Sequence, residues 1–340
     1  MMQINRRHTI SAVLGLGLAV LLIWGVEDRK AKPSFYRDEG KVFGTYYSIQ
    51  YEATADLRDS IQAAFTAFDN SLSMFNSHSI ISAVNRNRDT LTDQAFETMW
   101  AEAERIYTLS DGAFDITVAP LVNLWGFGFK HRENVTEAQV DSARSLVGFS
   151  RVQLTDHRVR KADPRMMLDA GAVAKGQSCD MIAALLNRQG CDNYLVEIGG
   201  EIVCRGHNSK SQPWHVGITR PQDDVTGEKN DLQEILAVKD ICMATSGNYR
   251  NFYYDGEQKR SHTIDPRTGY PVQHSLLSAT VVSSTCMRAD ALATACMVLG
   301  ADRALEMIAA AEDAACYLIL EKNDSLVVVT SQNWDDLLTK

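Results

Sequence analysis

Two oxygen-bearing side chains, Asp290 and Thr294, stand one helical turn apart in Met287-Arg-Ala-Asp-Ala-Leu-Ala-Thr294. That spacing puts a carboxylate and a hydroxyl on one face of a helix. Both are hard donors, which suit magnesium rather than zinc. Alone, the pair reads equally as a charge near a helix start and a packed core threonine. A second stretch, Leu168-Asp-Ala-Gly-Ala-Val-Ala-Lys-Gly176, holds only small residues and Val173 between Asp169 and Lys175. Such a segment lets backbone approach a ligand closely. Lys175 would then open a helix, where a cation and backbone amides meet phosphate. The order Gly-x4-Gly-Lys-Ser/Thr of a Walker A loop is absent, and a tight strand-to-helix turn is the alternative.

Ser261-His-Thr-Ile-Asp-Pro-Arg-Thr-Gly269 is a polar cluster closed by turn residues. His262 is available as a general base near neutral pH, or is a surface histidine. Thr245-Ser-Gly-Asn-Tyr249 reads as a loop able to hydrogen-bond phosphate. No Gly-x-Ser-x-Gly elbow surrounds Ser246, so a serine-hydrolase reading fails. Gly112-Ala-Phe-Asp115 precedes an apolar run through Trp125-Gly-Phe-Gly128, which on its own is a core turn with aromatic packing.

The elements that must carry these residues follow from periodicity. Apolar spacing predicts helices over 57–68, 94–109, 136–147, 176–188, 288–299 and 303–311, with Thr136 as an N-cap. Gly190 closes one of them and Gly300 separates the last two. Strands are predicted over 42–51, 194–198, 214–218, 235–238, 278–282, 316–320 and 326–330. Arg220 to Gln233 reads as a polar surface loop. Strict βαβ alternation is missing, so the fold class is α+β, with mixed or antiparallel sheets and packed helices.

At 340 residues the chain buries a core without disulfides. A net charge of −9 leaves no basic footprint for nucleic acid. The seven cysteines form no C-x-x-C pair and no zinc spacing, so they read as small buried hydrophobes. Arg6 and Arg7 precede an apolar run from Ile10 to Val26 of membrane-spanning length, ended by Glu27, Asp28, Arg29 and Lys30. Residues 1–30 therefore read as a signal anchor, or as a signal peptide, although no good cleavage site follows. Either reading exports the rest: a polar linker over 31–41 and a catalytic domain over 42–335, placed on the periplasmic side of the inner membrane.

Taken in order, these blocks resemble the ApbE family of flavin transferases. The matching landmarks are Phe43-Gly-Thr45, Leu72-Ser-Met-Phe75 with Asn85, Gly112-Ala-Phe-Asp115 through Trp125-Gly126, and Asp169 to Gly176. They continue with Glu197-Ile-Gly-Gly200, Ala244-Thr-Ser-Gly247, His262 to Gly269 and Ala289 to Thr294. The resemblance implies an enzyme that splits FAD and attaches FMN to a threonine of another protein, with magnesium on the diphosphate. It implies metal contacts at Asp290, Thr294 and a backbone oxygen of Ala172, with Ala293 close by. Flavin contacts are implied at Phe43, Phe75, Ala113, Phe114, Asp115, Asp169, Lys175 and Ile264, and a base at His262. Implied acceptors are flavin-carrying subunits of sodium- or electron-transporting membrane complexes. The chain departs from many relatives in lacking a lipobox cysteine after the apolar run. Phe43 and Phe75 stand where relatives often carry methionine and tyrosine, and Phe75 keeps the ring without the phenol. A magnesium-dependent FAD pyrophosphatase and a non-catalytic flavin binder remain open alternatives.

Overall fold

Alternation of apolar and polar residues fixes which strands pair and which faces they bury. The computed structural model describes residues 32–128, 135–222, 231–248, 252–255, 258–323 and 325–338. In chain order the strands are β1 (Ser34–Val42), β2 (Thr45–Ala53), β3 (Val152–Thr155), β4 (Arg158–Lys161), β5 (Tyr194–Ile198), β6 (Glu201–Arg205) and β7 (Trp214–Thr219). They continue with β8 (Leu232–Val238), β9 (Ile241–Gly247), β10 (Phe252–Asp255), β11 (Gln258–Ser261), β12 (Leu276–Ser283), β13 (Ala315–Lys322) and β14 (Ser325–Thr330). Eight form one sheet in the order β1-β2-β5-β6-β9-β12-β13-β14. Every neighbouring pair is antiparallel. The order rises with sequence, so the sheet is a meander whose long excursions carry the helices.

Both faces of this sheet are covered. Leu195, Ile202, Met243, Val282 and Tyr317 pack under the β7–β8 pair and Trp334 on one side. On the other, Tyr47, Ile49, Tyr51, Val196 and Ile198 pack against Ile61, Phe65, Cys179 and Ile182. Burial on two faces explains why β5 is apolar at every position but Glu197 rather than alternating. All seven cysteines are free, and all but Cys242 are buried.

The helix over Cys286–Leu299 is the innermost element: only Arg288, Thr294 and Leu299 escape burial. An apolar surface on all sides lets it pack simultaneously on β9, β12 and the helices over Gln94–Leu109, Ala174–Arg188 and Ala301–Ala310. Arg288 reaches Glu102 and Asp313, each at 3.0 Å, so its charge is paired where it leaves the core. Gly176 lies against the start of this helix. A Cβ there would stand 2.3 Å from the Cys286 carbonyl oxygen and 2.8 Å from the Met287 Cα.

The sheet is antiparallel throughout, which narrows the expected mixed or antiparallel arrangement. The helix over Gln94–Leu109 has its expected bounds, with Asp93 as N-cap. Thr136 caps Glu137–Arg144 through a reciprocal bond with Gln139. Two expectations need correcting. The supposed linker over 31–41 contains most of β1. This is an edge strand in which only Asp38 is buried, so no apolar alternation marks it. The supposed loop at Thr245–Tyr249 continues β9 as far as Gly247, because its small polar side chains bond across the sheet, as Thr245 does with Thr280 at 2.9 Å. The N-terminal apolar run and most of the Arg220–Gln233 loop lie outside the described residues. Among the described residues no helix is long and apolar enough to cross a membrane.

Gly176→Ala is expected to destabilise the fold by about 1–3 kcal/mol, the usual range for overpacking. Urea denaturation measures it. An unchanged midpoint would show that the helices separate at no cost.

Candidate functional site

Lys175, one residue into its helix, is turned toward the neighbouring buried carboxylates rather than to open solvent. Its ammonium lies 2.8 Å from Glu201 Oε1 and 3.7 Å from Asp290 Oδ1. Both carboxylate side chains are only 2% exposed. Burial pulls the lysine down, but Asp290 and Glu201 outweigh it and hold the ammonium charged, above the ordinary lysine range. Burial pushes Glu201 up, Lys175 opposes that shift, and the neighbouring Asp290 adds to it. Asp290 Oδ2 accepts the Gly176 amide at 3.0 Å, and Glu201 Oε2 is buried without a hydrogen-bond partner. With Glu201 pushed toward its protonated form, the Lys175 ammonium is balanced chiefly by Asp290.

This cluster forms the floor of a cavity of about 420 Å³. Its walls come from separate parts of the chain: Ala113 to Ile116, Asp169 to Ala172, Gly199, Thr245 to Gly247, His262 to Ile264, and Thr294. Each wall is fixed from behind. The Asn85 amide clamps Leu168, taking its N–H at 2.7 Å and donating to its carbonyl at 2.8 Å. Asp169, one residue on, accepts the Gly171 amide at 2.7 Å, and burial raises its carboxyl. Asp115 accepts from the Thr117 amide and hydroxyl and from the Phe149 amide, at 2.6 to 3.0 Å, while burial raises it. Its carboxylate thus holds the turn that presents Ala113 and Phe114.

His262 sits on a loop that is rigid by its own bonding. Arg267 grips Asp265 with Nε at 2.9 Å and a terminal nitrogen at 2.8 Å. Gly269 donates to the Asp265 carbonyl at 2.7 Å, and Trp125 Nε1 donates to the Gly269 carbonyl at 2.8 Å. Gly269 has φ +85°, and a Cβ there would meet Val140 at 2.8 Å, so glycine is required. The Ile264 side chain packs with Leu121, Trp125 and Val140 beneath the loop. The His262 ring faces Phe127 edge-on at 6.3 Å.

Of the residues expected from sequence, Ala113, Phe114, Asp115, Asp169, Ala172, Lys175, His262, Ile264, Asp290 and Thr294 all line this one cavity. Ala293 does not: it is fully buried in the core behind Thr294. Phe43 and Phe75 line a neighbouring groove with Gly44, Asp69, Ser73 and Asn76. Phe43 and Gly44 form the β1–β2 turn, both with positive φ, +52° and +78°. A bulky residue is unusual there, and the Phe43 ring is braced by Phe65 and Phe68 at 5.7 and 5.4 Å. The two depressions approach each other at Gly199, whose absent Cβ would lie 3.0 Å from Thr45 and 3.1 Å from Lys175.

Glu201 was missed by the motif reading. The available signal was an acidic residue directly after Gly199-Gly200, followed by the three apolar residues Ile202, Val203 and Cys204. Ser246, 3.3 Å from the Thr294 hydroxyl, is likewise a neighbour in space only. Among the described residues no group of three or more His, Cys, Asp or Glu side chains is placed to hold a metal. The oxygen donors expected from sequence are the Asp290 carboxylate, the Thr294 hydroxyl and the Ala172 carbonyl, and Asp169, Glu201 and Ser246 line the same cavity.

Lys175→Met should leave the buried Asp290 carboxylate without its cation and cost roughly 3–5 kcal/mol, the range for breaking a buried ion pair. Adding Glu201→Gln should recover part of that loss. A double-mutant cycle in urea checks it, and strictly additive effects would contradict the cluster.

The ApbE family model matches residues 43–318. A Haemophilus influenzae protein named FAD:protein FMN transferase is 35% identical, spanning 97% of this chain and 98% of its own. A protein of the same name from Escherichia coli is 32% identical over 88% of each chain. Among solved structures, the flavin transferase ApbE of Vibrio cholerae is similar with a TM-score of 0.81 at 33% identity, covering 90% of this chain and 100% of that one. The apo flavinyl transferase ApbE of Pseudomonas stutzeri gives the same TM-score of 0.81 at 28% identity, over 91% of this chain and 98% of its own. Ordered motifs, one shared cavity and similarity over nearly the whole chain agree, and the chain belongs to the ApbE family.

Proposed function

We propose that this chain is an FAD:protein FMN transferase that moves FMN from FAD to a threonine hydroxyl of an acceptor protein. The observation that carries the reading is the cavity itself. It places a charged lysine, an Asp/Thr pair and a histidine within one wall-to-wall space, beside an aromatic groove. Family membership and the relatives' shared name support the reaction. The groove at Phe43 and Phe75 offers rings to the isoalloxazine.

The donor set fits a hard cation. Asp290, Thr294 and the Ala172 carbonyl supply only oxygen, the donor type a hard cation takes. Magnesium bound there would neutralise charge on the diphosphate. Lys175 binds and stabilises the departing phosphate. His262 takes the proton of the threonine hydroxyl as its oxygen bonds to the FMN phosphorus. The bond from that phosphorus to the bridging oxygen breaks, AMP leaves, and a phosphoester remains. Asp265 is a poor substitute base because Arg267 occupies both of its oxygens. The N-terminal apolar run supports a membrane tether with this domain on the periplasmic side, within reach of flavin-carrying subunits of sodium- or electron-transporting complexes.

The test combines the full chain, FAD, magnesium and such a subunit, and follows acceptor mass and AMP release. Chelation is expected to stop transfer. His262→Ala should slow it about 10²- to 10⁴-fold, the usual contribution of a general base, with FAD affinity nearly intact. Parallel loss of binding and rate would instead make His262 a packing residue.

A further inference from the structure

Asp180 lies in the Ala174–Arg188 helix that Lys175 opens, on a side chain that the reaction does not use. Its Oδ1 accepts the Cys286 amide at 2.9 Å and its Oδ2 the Met287 amide at 2.8 Å. These are the first two amides of the Cys286–Leu299 helix, which have no partner within that helix. The third, Arg288 N, goes to Thr285 Oγ at 3.2 Å. In return Asp290, on the second helix, accepts the Gly176 amide near the start of the first, at 3.0 Å. Each helix therefore carries a carboxylate that binds the amino end of the other.

We propose that Asp180 is a positioning residue for the transfer reaction. By gripping two successive amides it fixes the rotation and depth of the Cys286–Leu299 helix, and so aims Asp290 and Thr294 into the cavity. The proposal rests on the reading of Asp290 as a cation ligand. Its geometry goes beyond an ordinary cap. Thr285 is the local cap, and it constrains only its own helix. Asp180 ties that helix to the one bearing Lys175. The contact tolerates no slack, because at Gly176 the backbones meet more closely than any Cβ permits. Asp290 is one turn beyond Cys286, so a tilt at the helix start displaces its carboxylate directly. Outer residues that orient a metal ligand typically matter 10- to 100-fold in metal affinity or activity.

The experiment uses Asp180→Asn in the full chain, which keeps the size and one acceptor but turns an NH₂ group against a helix amide. Two quantities are read: hydrogen exchange of the Gly176 amide without metal, and the magnesium concentration giving half-maximal transfer. We expect Gly176 to exchange at least about 10-fold faster while the carboxyl-terminal half of its helix keeps its protection. We expect the magnesium midpoint to rise about 10- to 100-fold, with excess magnesium restoring most of the rate. Thr285→Ala, which removes the local cap alone, should lower thermal stability and leave both quantities unchanged. If Asp180→Asn does not fold, Asp180→Glu keeps both acceptors and should shift both quantities in the same direction. Unchanged Gly176 exchange would overturn the proposal, as would equal effects from Thr285→Ala. Were wild-type transfer independent of magnesium, the cation reading would fail, and the metal-free exchange would still decide the role of Asp180.

Discussion

A charged group inside a helix that is buried on all sides must be answered by its surroundings, and Asp290 is that group here. Its carboxylate is 2% exposed within the innermost helix. One oxygen takes the Gly176 amide and the other faces Lys175. Lys175 in turn is drawn between Asp290 and Glu201. Removing Lys175 or Asp290 leaves a buried charge uncompensated, and Lys175 also bonds Glu201, so the two helices and the β5–β6 turn are constrained together. The cavity floor is therefore the same structure that locks the core. Glycine at 176 is what allows helices carrying opposite charges to come this close.

The remaining walls rest on that floor by cheaper means. Short polar side chains, Asn85, Asp115 and Ser246 among them, hold backbone or hydroxyl groups of distant segments. Each has its polar atoms answered by hydrogen bonds rather than by an ion pair. The His262 loop depends on Gly269 and Trp125, and on Thr263, which donates to Asn248 at the end of β9 at 2.6 Å. The aromatic groove hangs on a β-turn with both residues at positive φ. The positive φ of Phe43 places backbone strain beside the aromatic groove, and such strain is common at functional sites.

Much of this was legible in the residues. The apolar stripe of Gln94–Leu109 gives both of its ends, whereas at Glu137–Arg144 only the Thr136 cap is legible, and the helix stops three residues short of the expected Val147. The chemistry-bearing segments resembled one family in order, and ten of their residues converge on one cavity. What stayed hidden has physical reasons. Strand β1 sits at an edge and buries little, so it reads as polar chain. Strand β9 ends in Thr-Ser-Gly, a composition shared with loops. Glu201 matters through a partner 26 positions away, and no local spacing records such a pair. Ala293 differs from its neighbours only in which side of a buried helix it faces.

The account stands or falls on what attacks the FMN phosphorus. The direct measurement is transfer from FAD to an acceptor subunit in water enriched in oxygen-18, with mass analysis of the acceptor, FMN and AMP. A threonine nucleophile predicts AMP released in step with FMN-bearing acceptor, and no oxygen-18 in either phosphate. Free FMN carrying oxygen-18, with AMP formed at the same rate whether or not acceptor is present, would contradict it and make the cavity a pyrophosphatase.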